Sequence, residues 1–215
     1  MKPYCDYGLT LVTDRELCLG RSLTEVVDAA VRGGTGIVQL REKSCDSRQF
    51  YELAKALREL LRPRAIPLII NDRADIALAV EAEGLHIGQS DLPLRAAREI
   101  MGPNAIIGLS VESEADVRAA EAVAIDYFGL SPVFSTPTKT DTNTPLGLAG
   151  VGRIRPLTPL PLVAIGGISA ANAAEVLAAG ADGVAVVSAI CSAPDPEQAA
   201  RSLKKTIDQV RNRRY

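Results

Sequence analysis

The sequence predicts an α/β fold, a single-domain (β/α)8 TIM barrel spanning residues 1–215, on three observations. Eight short apolar runs alternate with longer amphipathic ones along the whole chain, the pattern of strands followed by covering helices. The punctuation between runs repeats every two units, with small residues before the even strands and proline before the odd ones. The 215 residues fit one large domain, and at 47% hydrophobic they can bury a full core. With no Trp and 4% aromatics, that core must be mostly Ala, Val, Ile and Leu, which favours parallel strands covered on both faces.

The strands are expected at 9–12, 37–40, 68–70, 84–87, 106–109, 127–130, 162–165 and 184–187. The helices are expected at 23–32, 47–61, 73–82, 94–101, 113–122, 149–155, 170–179 and 196–210. Ser22 and Ser169 each precede a helical pattern and read as N-caps. Gly33-Gly34-Thr35-Gly36, Ala82-Glu83-Gly84, Ala124-Ile125-Asp126 and Gly180-Ala181-Asp182-Gly183 lead into strands two, four, six and eight. Pro67, Pro103 and Pro161 announce strands three, five and seven, where proline suits the first residue of a strand. This period fits four paired βα units closed into a barrel, with alternate strands filling alternate interior layers.

Charge and cysteine usage exclude several function classes. A net charge of −2 gives no general affinity for nucleic acid or for anionic membranes, so an anionic ligand must be held locally. No apolar run is long enough to cross a bilayer, and the first residues lack the apolar core of a signal peptide. Cys5, Cys18, Cys45 and Cys191 have no CxxC spacing and read as reduced thiols, so the expected location is cytoplasmic. A homo-oligomer is compatible with the sequence.

In such barrels the reactive face lies at the carboxyl ends of the strands, so what ends each run matters most. The second strand ends Gln39-Leu40-Arg41-Glu42-Lys43. Strand alternation puts Gln39, Arg41 and Lys43 on one side and Leu40 and Glu42 on the other. With Leu40 toward the helices, two cations and an amide face the mouth and can grip a charged anion and a hydrogen-bonding ring.

The third strand ends Asn71-Asp72, and the fourth leads through Gly88-Gln89-Ser90 to Asp91. On neighbouring strands, Asp72 and Asp91 can converge, and two carboxylates with phosphate oxygens and water suit Mg²⁺. Either carboxylate reads alternatively as the cap of a following helix, Asp91, just before Leu92-Pro93, more readily than Asp72. His86, the only histidine, lies within the fourth run and reads as a packed, hydrogen-bonded core residue. Its solitude argues against a histidine zinc site or a Ser-His-Asp triad. Ser110 ends the fifth strand with a hydroxyl able to bond a phosphate.

The sixth strand runs into Ser131–Pro145, a long connection of the kind that forms binding loops and lids. There the hydroxyls of Thr136 and Thr138 beside Lys139 can bind phosphate oxygens. Residues 140–144 read as solvated loop or mobile lid. The seventh strand ends Ile165-Gly166-Gly167-Ile168 and the eighth Val186-Val187-Ser188, where backbone N–H groups commonly form a phosphate cup. Two separate anion regions result. Arg41, Lys43, Asp72, Asp91 and Lys139 with Mg²⁺ form one, and Thr136, Thr138, Gly167, Val187 and Ser188 form the other. They suit the joining of two phosphorylated small molecules with departure of pyrophosphate.

The ordered set 39–43, 71–72, 88–93 (Gly-Gln-Ser-Asp-Leu-Pro), 132–139 (Pro-Val-Phe-Ser-Thr-Pro-Thr-Lys), 165–168 and 186–190 resembles the thiamine-phosphate synthase family over nearly the whole barrel. The resemblance implies a transferase joining 4-amino-2-methyl-5-hydroxymethylpyrimidine diphosphate to 4-methyl-5-(2-phosphooxyethyl)thiazole. Pyrophosphate leaves first, and the thiazole nitrogen then attacks the pyrimidine-methyl cation. It further implies that Gln39, Leu40, Arg41, Glu42, Lys43, Asn71, Ser110 and Lys139 hold the pyrimidine diphosphate, with Arg41, Lys43 and Lys139 as the catalytic cations. Asp72 and Asp91 would coordinate Mg²⁺, and Thr136, Pro137, Thr138, Gly167, Val187 and Ser188 would hold the thiazole phosphate.

The nearest alternative is a related thiazole tautomerase, which would need no diphosphate site. An aldolase would need a desolvated Schiff-base lysine, whereas Lys43 and Lys139 sit where phosphates are expected. A barrel that only binds ligand or a protein partner would have lost Asp72, Asp91 or Lys139.

Overall fold

The computed structural model describes residues 3–120, 125–136 and 144–213. Its strands are β1 (Leu9–Val12), β2 (Ile37–Leu40), β3 (Leu68–Asn71), β4 (Gly84–Ile87), β5 (Ile106–Val111), β6 (Tyr127–Leu130), β7 (Leu162–Ile165) and β8 (Gly183–Val186). They close into a barrel in sequence order, each parallel to the next and β8 paired to β1. The helices are α1 (Leu23–Arg32), α2 (Ser47–Leu61), α3 (Ala74–Ala79), α4 (Leu94–Met101), α5 (Glu114–Ala119), α6 (Gly147–Ile154), α7 (Ala173–Ala178), α8 (Ser188–Cys191) and α9 (Pro196–Arg211). The expected eight-stranded barrel is therefore present, with the short α8 added between β8 and the last helix.

Several boundaries differ from the sequence reading. β5 continues through Ser110 to Val111, because Ser110 and Val111 pair with Gly129 and Leu130 of β6. β8 starts at Gly183 and stops at Val186, since Val187 leaves the strand to precede α8. Ser22 caps α1 in a full capping box with Glu25. Ser169 caps nothing. Asn172 Oδ1 accepts from Ser169 N and Asn172 Nδ2 donates to Gly167 O, which ties 167–172 into a turn and delays α7 to Ala173.

The two-unit period has a physical basis at the amino ends of the strands. A carboxylate just before each of β4, β6 and β8 accepts an N–H of the preceding odd strand and pairs with an arginine of the helical region that leads into that odd strand. Glu83 accepts from Leu68 N at 2.9 Å and meets Arg58 at 2.9 Å. Asp126 accepts from Ile107 N at 2.9 Å and meets Arg98 at 2.7 Å. Asp182 accepts from Leu162 N at 2.8 Å and meets Arg155 at 2.5 Å. The first pair departs from this rule. Gly36 stands there, and a Cβ on it would lie 2.5 Å from Asp6 O.

Hydrophobic residues fall into two sets, as alternation demands. Leu11, Leu40, Leu68, Leu85, Phe128 and Leu162 face outward and pack under the helices, in a cluster that also holds Phe50, Leu57 and Leu61 of α2. Val12, Ile37, Ile69, Ile106, Tyr127, Val163 and Ala185 fill the barrel interior. Above that apolar plug, toward the carboxyl ends, the inward positions become polar: Gln39, Asn71, His86 and Ser131 are all buried there. No helix among the described residues is long and apolar enough to cross a membrane.

Candidate active site

A cleft of about 560 Å³ opens at the carboxyl ends of the strands. Its lining includes Gln39, Arg41, Lys43, Asn71, Asp72, Asp91, Ser110, Thr136, Gly167, Val187 and Ser188. Residues scattered over 150 positions of sequence thus meet around one space. A second, more open cavity of about 300 Å³ beside Ala77, Leu78 and Met101 brings together none of the expected residues.

The end of β2 behaves as alternation requires. Thr13 fixes it from the neighbouring strand, its N donating to Gln39 O and its hydroxyl accepting from Arg41 N at 3.1 Å. Gln39, Arg41 and Lys43 face the cleft. Leu40 is fully buried among the outward core residues. The Glu42 side chain is 4% exposed and takes Arg15 Nε on both oxygens, at 2.9 and 3.0 Å. Leu40 and Glu42 therefore present no side chain to the cleft, and any contact of theirs with a ligand falls to the backbone.

At β3 and β4 the two carboxylates converge. Asp72 has φ +62°, a left-handed conformation that short polar side chains tolerate, and its N donates to His86 O at 2.8 Å. Asp91 does not cap α4, whose first turn has no side-chain cap. Instead its Oδ2 accepts from Gly88 N at 2.6 Å, closing the loop after β4 and aiming the carboxyl at Asp72. Burial, and then the neighbouring Asp72 carboxylate, push the Asp91 carboxyl above its usual range. Lys43 Nζ reaches Asp72 Oδ2 at 2.5 Å.

On the far side, β6 and β7 build the second region. Gly166 and Gly167 both have positive φ, and a Cβ on either would strike Pro132 or Phe134 at 2.8 Å. Glycine there lets the segment after β6 lie on the end of β7, with Val133 N donating to Ile165 O and Phe134 N to Gly166 O. That stacking delivers Thr136 to the cleft beside Gly167. Val187 and Ser188 line the cleft at the start of α8, where Ile190 N and Cys191 N both donate to Val187 O. Pro137, Thr138 and Lys139 lie outside the described residues.

The sequence reading missed several cleft residues. Gln89 lines the cleft and donates from Nε2 to Ser110 O at 2.6 Å, and Glu112 and Tyr127 line it as well. His86 is 7% exposed and hydrogen-bonded, as expected of a core histidine, yet it also lies on the cleft floor. The available signal was glycine inside strands, at Gly108 and Gly129, which marks close approach of another group.

Comparisons with known proteins follow this geometry. A family model described as thiamine monophosphate synthase matches residues 9–190. A thiamine-phosphate synthase of Albidiferax ferrireducens is 54% identical over 202 residues, 94% of this chain and 92% of that protein. One from Syntrophomonas wolfei is 53% identical over 200 residues, 93% of this chain and 96% of that protein. A solved structure, thiamine phosphate pyrophosphorylase from Pyrococcus furiosus, superposes with a TM-score of 0.87 at 40% identity, covering 95% of this chain and 97% of that one.

Proposed function

The chain belongs to the thiamine monophosphate synthase family and carries its transferase activity, the formation of thiamine phosphate; we propose that the cleft described above divides that work between its two sides. The pyrimidine diphosphate lies over Gln39, Arg41, Lys43, Asn71 and Ser110, and the thiazole phosphate lies in the cup of Thr136, Gly167, Val187 and Ser188. By the family resemblance, Lys139 would serve the diphosphate and Pro137 and Thr138 the thiazole phosphate. The observation that carries this reading is the placement of a cation- and carboxylate-bearing wall facing a glycine-lined cup across a single cleft.

The donor set fits Mg²⁺. Asp72 and Asp91 bring two carboxylates together, close enough for Asp72 to raise the Asp91 carboxyl. Among the described residues no group of three or more His, Cys, Asp or Glu side chains could hold a metal. Two carboxylates would thus be the protein's share, with water and diphosphate oxygens completing a shell of the kind Mg²⁺ prefers. When bound, the ion would neutralise charge on the diphosphate.

The chain's own residues then have defined tasks. Arg41 and Lys43 take up negative charge as the carbon–oxygen bond to the diphosphate lengthens. Gln39 and Ser110 hold the ring. The cup fixes the thiazole by its phosphate, so that its nitrogen approaches the exocyclic carbon from across the cleft. No side chain need act as a strong base. The direct test supplies both phosphorylated substrates with Mg²⁺ and reads thiamine phosphate and pyrophosphate in equal amounts. Absence of thiamine phosphate when both substrates and Mg²⁺ are supplied would contradict this reading.

A further inference from the structure

The cleft floor carries two polar side chains, His86 and Tyr127, to which the reaction assigns no task. His86 Nδ1 lies 2.8 Å from Tyr127 Oη, and His86 Nε2 lies 2.8 Å from Ser110 Oγ. Gln39 lines the same cleft beside them. His86 is 7% exposed and Tyr127 4%. The strands make room for this pair at a cost in packing surface. A Cβ on Gly108 would lie 2.2 Å from Tyr127 Cζ and 2.4 Å from His86 Nδ1, and one on Gly129 would lie 3.0 Å from His86 Cε1.

We infer that Tyr127 and His86 are positioning residues, a one-way hydrogen-bond relay from Tyr127 to Ser110 that obliges the Ser110 hydroxyl to donate to an acceptor atom of the substrate. The direction follows from counting protons. Tyr127 is buried, and its hydroxyl has one proton to place. The single Tyr127 proton then goes to His86 Nδ1, the acceptor beside it. A neutral imidazole with a bare Nδ1 carries its proton on Nε2, where it points at Ser110 Oγ. With that oxygen filled from behind, the Ser110 proton turns into the cleft. The opposite tautomer would set two protons between Nδ1 and Oη and leave the buried tyrosine proton unpaired, an arrangement that costs more than the bond returns.

This inference rests on the reading that the pyrimidine diphosphate lies over Gln39 and Ser110, whose ring nitrogens and phosphate oxygens are all acceptors. The relay is nevertheless measurable without substrate. His86 is the only histidine, so ¹⁵N-histidine labelling with long-range ¹H–¹⁵N correlation reads one ring. The expected spectrum at neutral pH shows an unprotonated Nδ1 and a protonated Nε2. A proton on Nδ1, in either the other tautomer or the imidazolium, overturns the relay whatever the enzyme turns over.

The kinetic arm uses Tyr127→Phe, which keeps the ring and removes the hydroxyl. It should raise KM for the pyrimidine diphosphate about five- to tenfold, the worth of one oriented hydrogen bond, and leave KM for the thiazole phosphate within twofold. In a Ser110→Ala background the same change should add nothing. Equal shifts for both substrates, no shift, or additive effects in the double variant would overturn the assignment. Absence of turnover by the parent protein would instead remove the functional reading and leave the spectrum to decide the relay.

Discussion

Lys43 Nζ sits 2.5 Å from Asp72 Oδ2, so the cation ending β2 is engaged with a carboxylate ending β3. The two side chains are 54% and 20% exposed, and water-facing pairs of this kind contribute at most about 1 kcal/mol. Such a pair can be exchanged. A diphosphate offers Lys43 more negative charge than Asp72 does, and its arrival frees Asp72 for another cation. Lys43→Met should therefore raise KM for the pyrimidine diphosphate roughly tenfold, the cost of a charge-assisted hydrogen bond. The same change should tighten Mg²⁺ binding to the free protein, read by calorimetric titration. Weaker Mg²⁺ binding would show that Lys43 does not compete for Asp72.

Asp72 is the better of the two carboxylates to test, because its backbone dictates the substitution. At φ +62° an asparagine is readily accommodated, whereas alanine would add about 1 kcal/mol of strain. Asp72→Asn should keep the fold, with a thermal midpoint within a few degrees of the parent. It should lower turnover by about 100-fold, as loss of one charge-stabilising group commonly does, and flatten the response to Mg²⁺. A turnover curve that still rises with Mg²⁺ as in the parent would exclude Asp72 as a ligand.

The barrel and both walls of the cleft were legible because they depend on local rules. Alternation along 39–43 suffices to turn Gln39, Arg41 and Lys43 inward, and the glycines at 166–167 mark the cup. What was not legible depends on contacts across the barrel. Nothing local to His86 says that Tyr127 and Ser110 meet its two nitrogens, since those partners come from β6 and β5. Ser169 failed as a cap for a related reason. Asn172 offered its amide to Ser169 N and Gly167 O, and this local turn displaced the helix start. The small residues before the even strands are visible in the sequence, whereas the repeat is carried by the carboxylates among them, Glu83, Asp126 and Asp182.

Gly108 is where a core substitution should be felt in the chemistry. Its Cα faces the barrel interior between Tyr127 and His86, with no space for a methyl group. Gly108→Ala should destabilise the protein by about 1–3 kcal/mol, the usual cost of overpacking, seen as a lower denaturant midpoint with an unchanged slope. Because the displaced groups line the cleft floor, activity at a temperature where the variant stays folded should also fall. A fully active variant would mean that the floor can shift without consequence for the ring it supports.

The opposite end of the barrel makes a prediction about pH. Asp6 Oδ1 accepts from Gly8 N at 2.9 Å and from Arg211 Nη1 at 2.7 Å, while Lys204 Nζ stands 3.5 Å from Oδ2, so the segment before β1 is clasped to α9. Burial pushes the Asp6 carboxyl up, but the Arg211 and Gly8 hydrogen bonds and the two cations outweigh it and hold the carboxyl below its usual range. A carboxyl lowered on folding binds its proton more readily in the unfolded chain. Its stabilisation is therefore complete above the ordinary aspartate value near about 4 and fades as pH falls through the lower, folded value. The site is partly exposed, so Asp6→Asn should cost only about 1 kcal/mol at pH 7. That difference between parent and variant should shrink steadily on acidification below about pH 4. Urea melts at a series of pH values would measure it. A difference that stayed constant into the acid range would mean that Asp6 acts through packing and the Gly8 hydrogen bond, without a contribution from its charge.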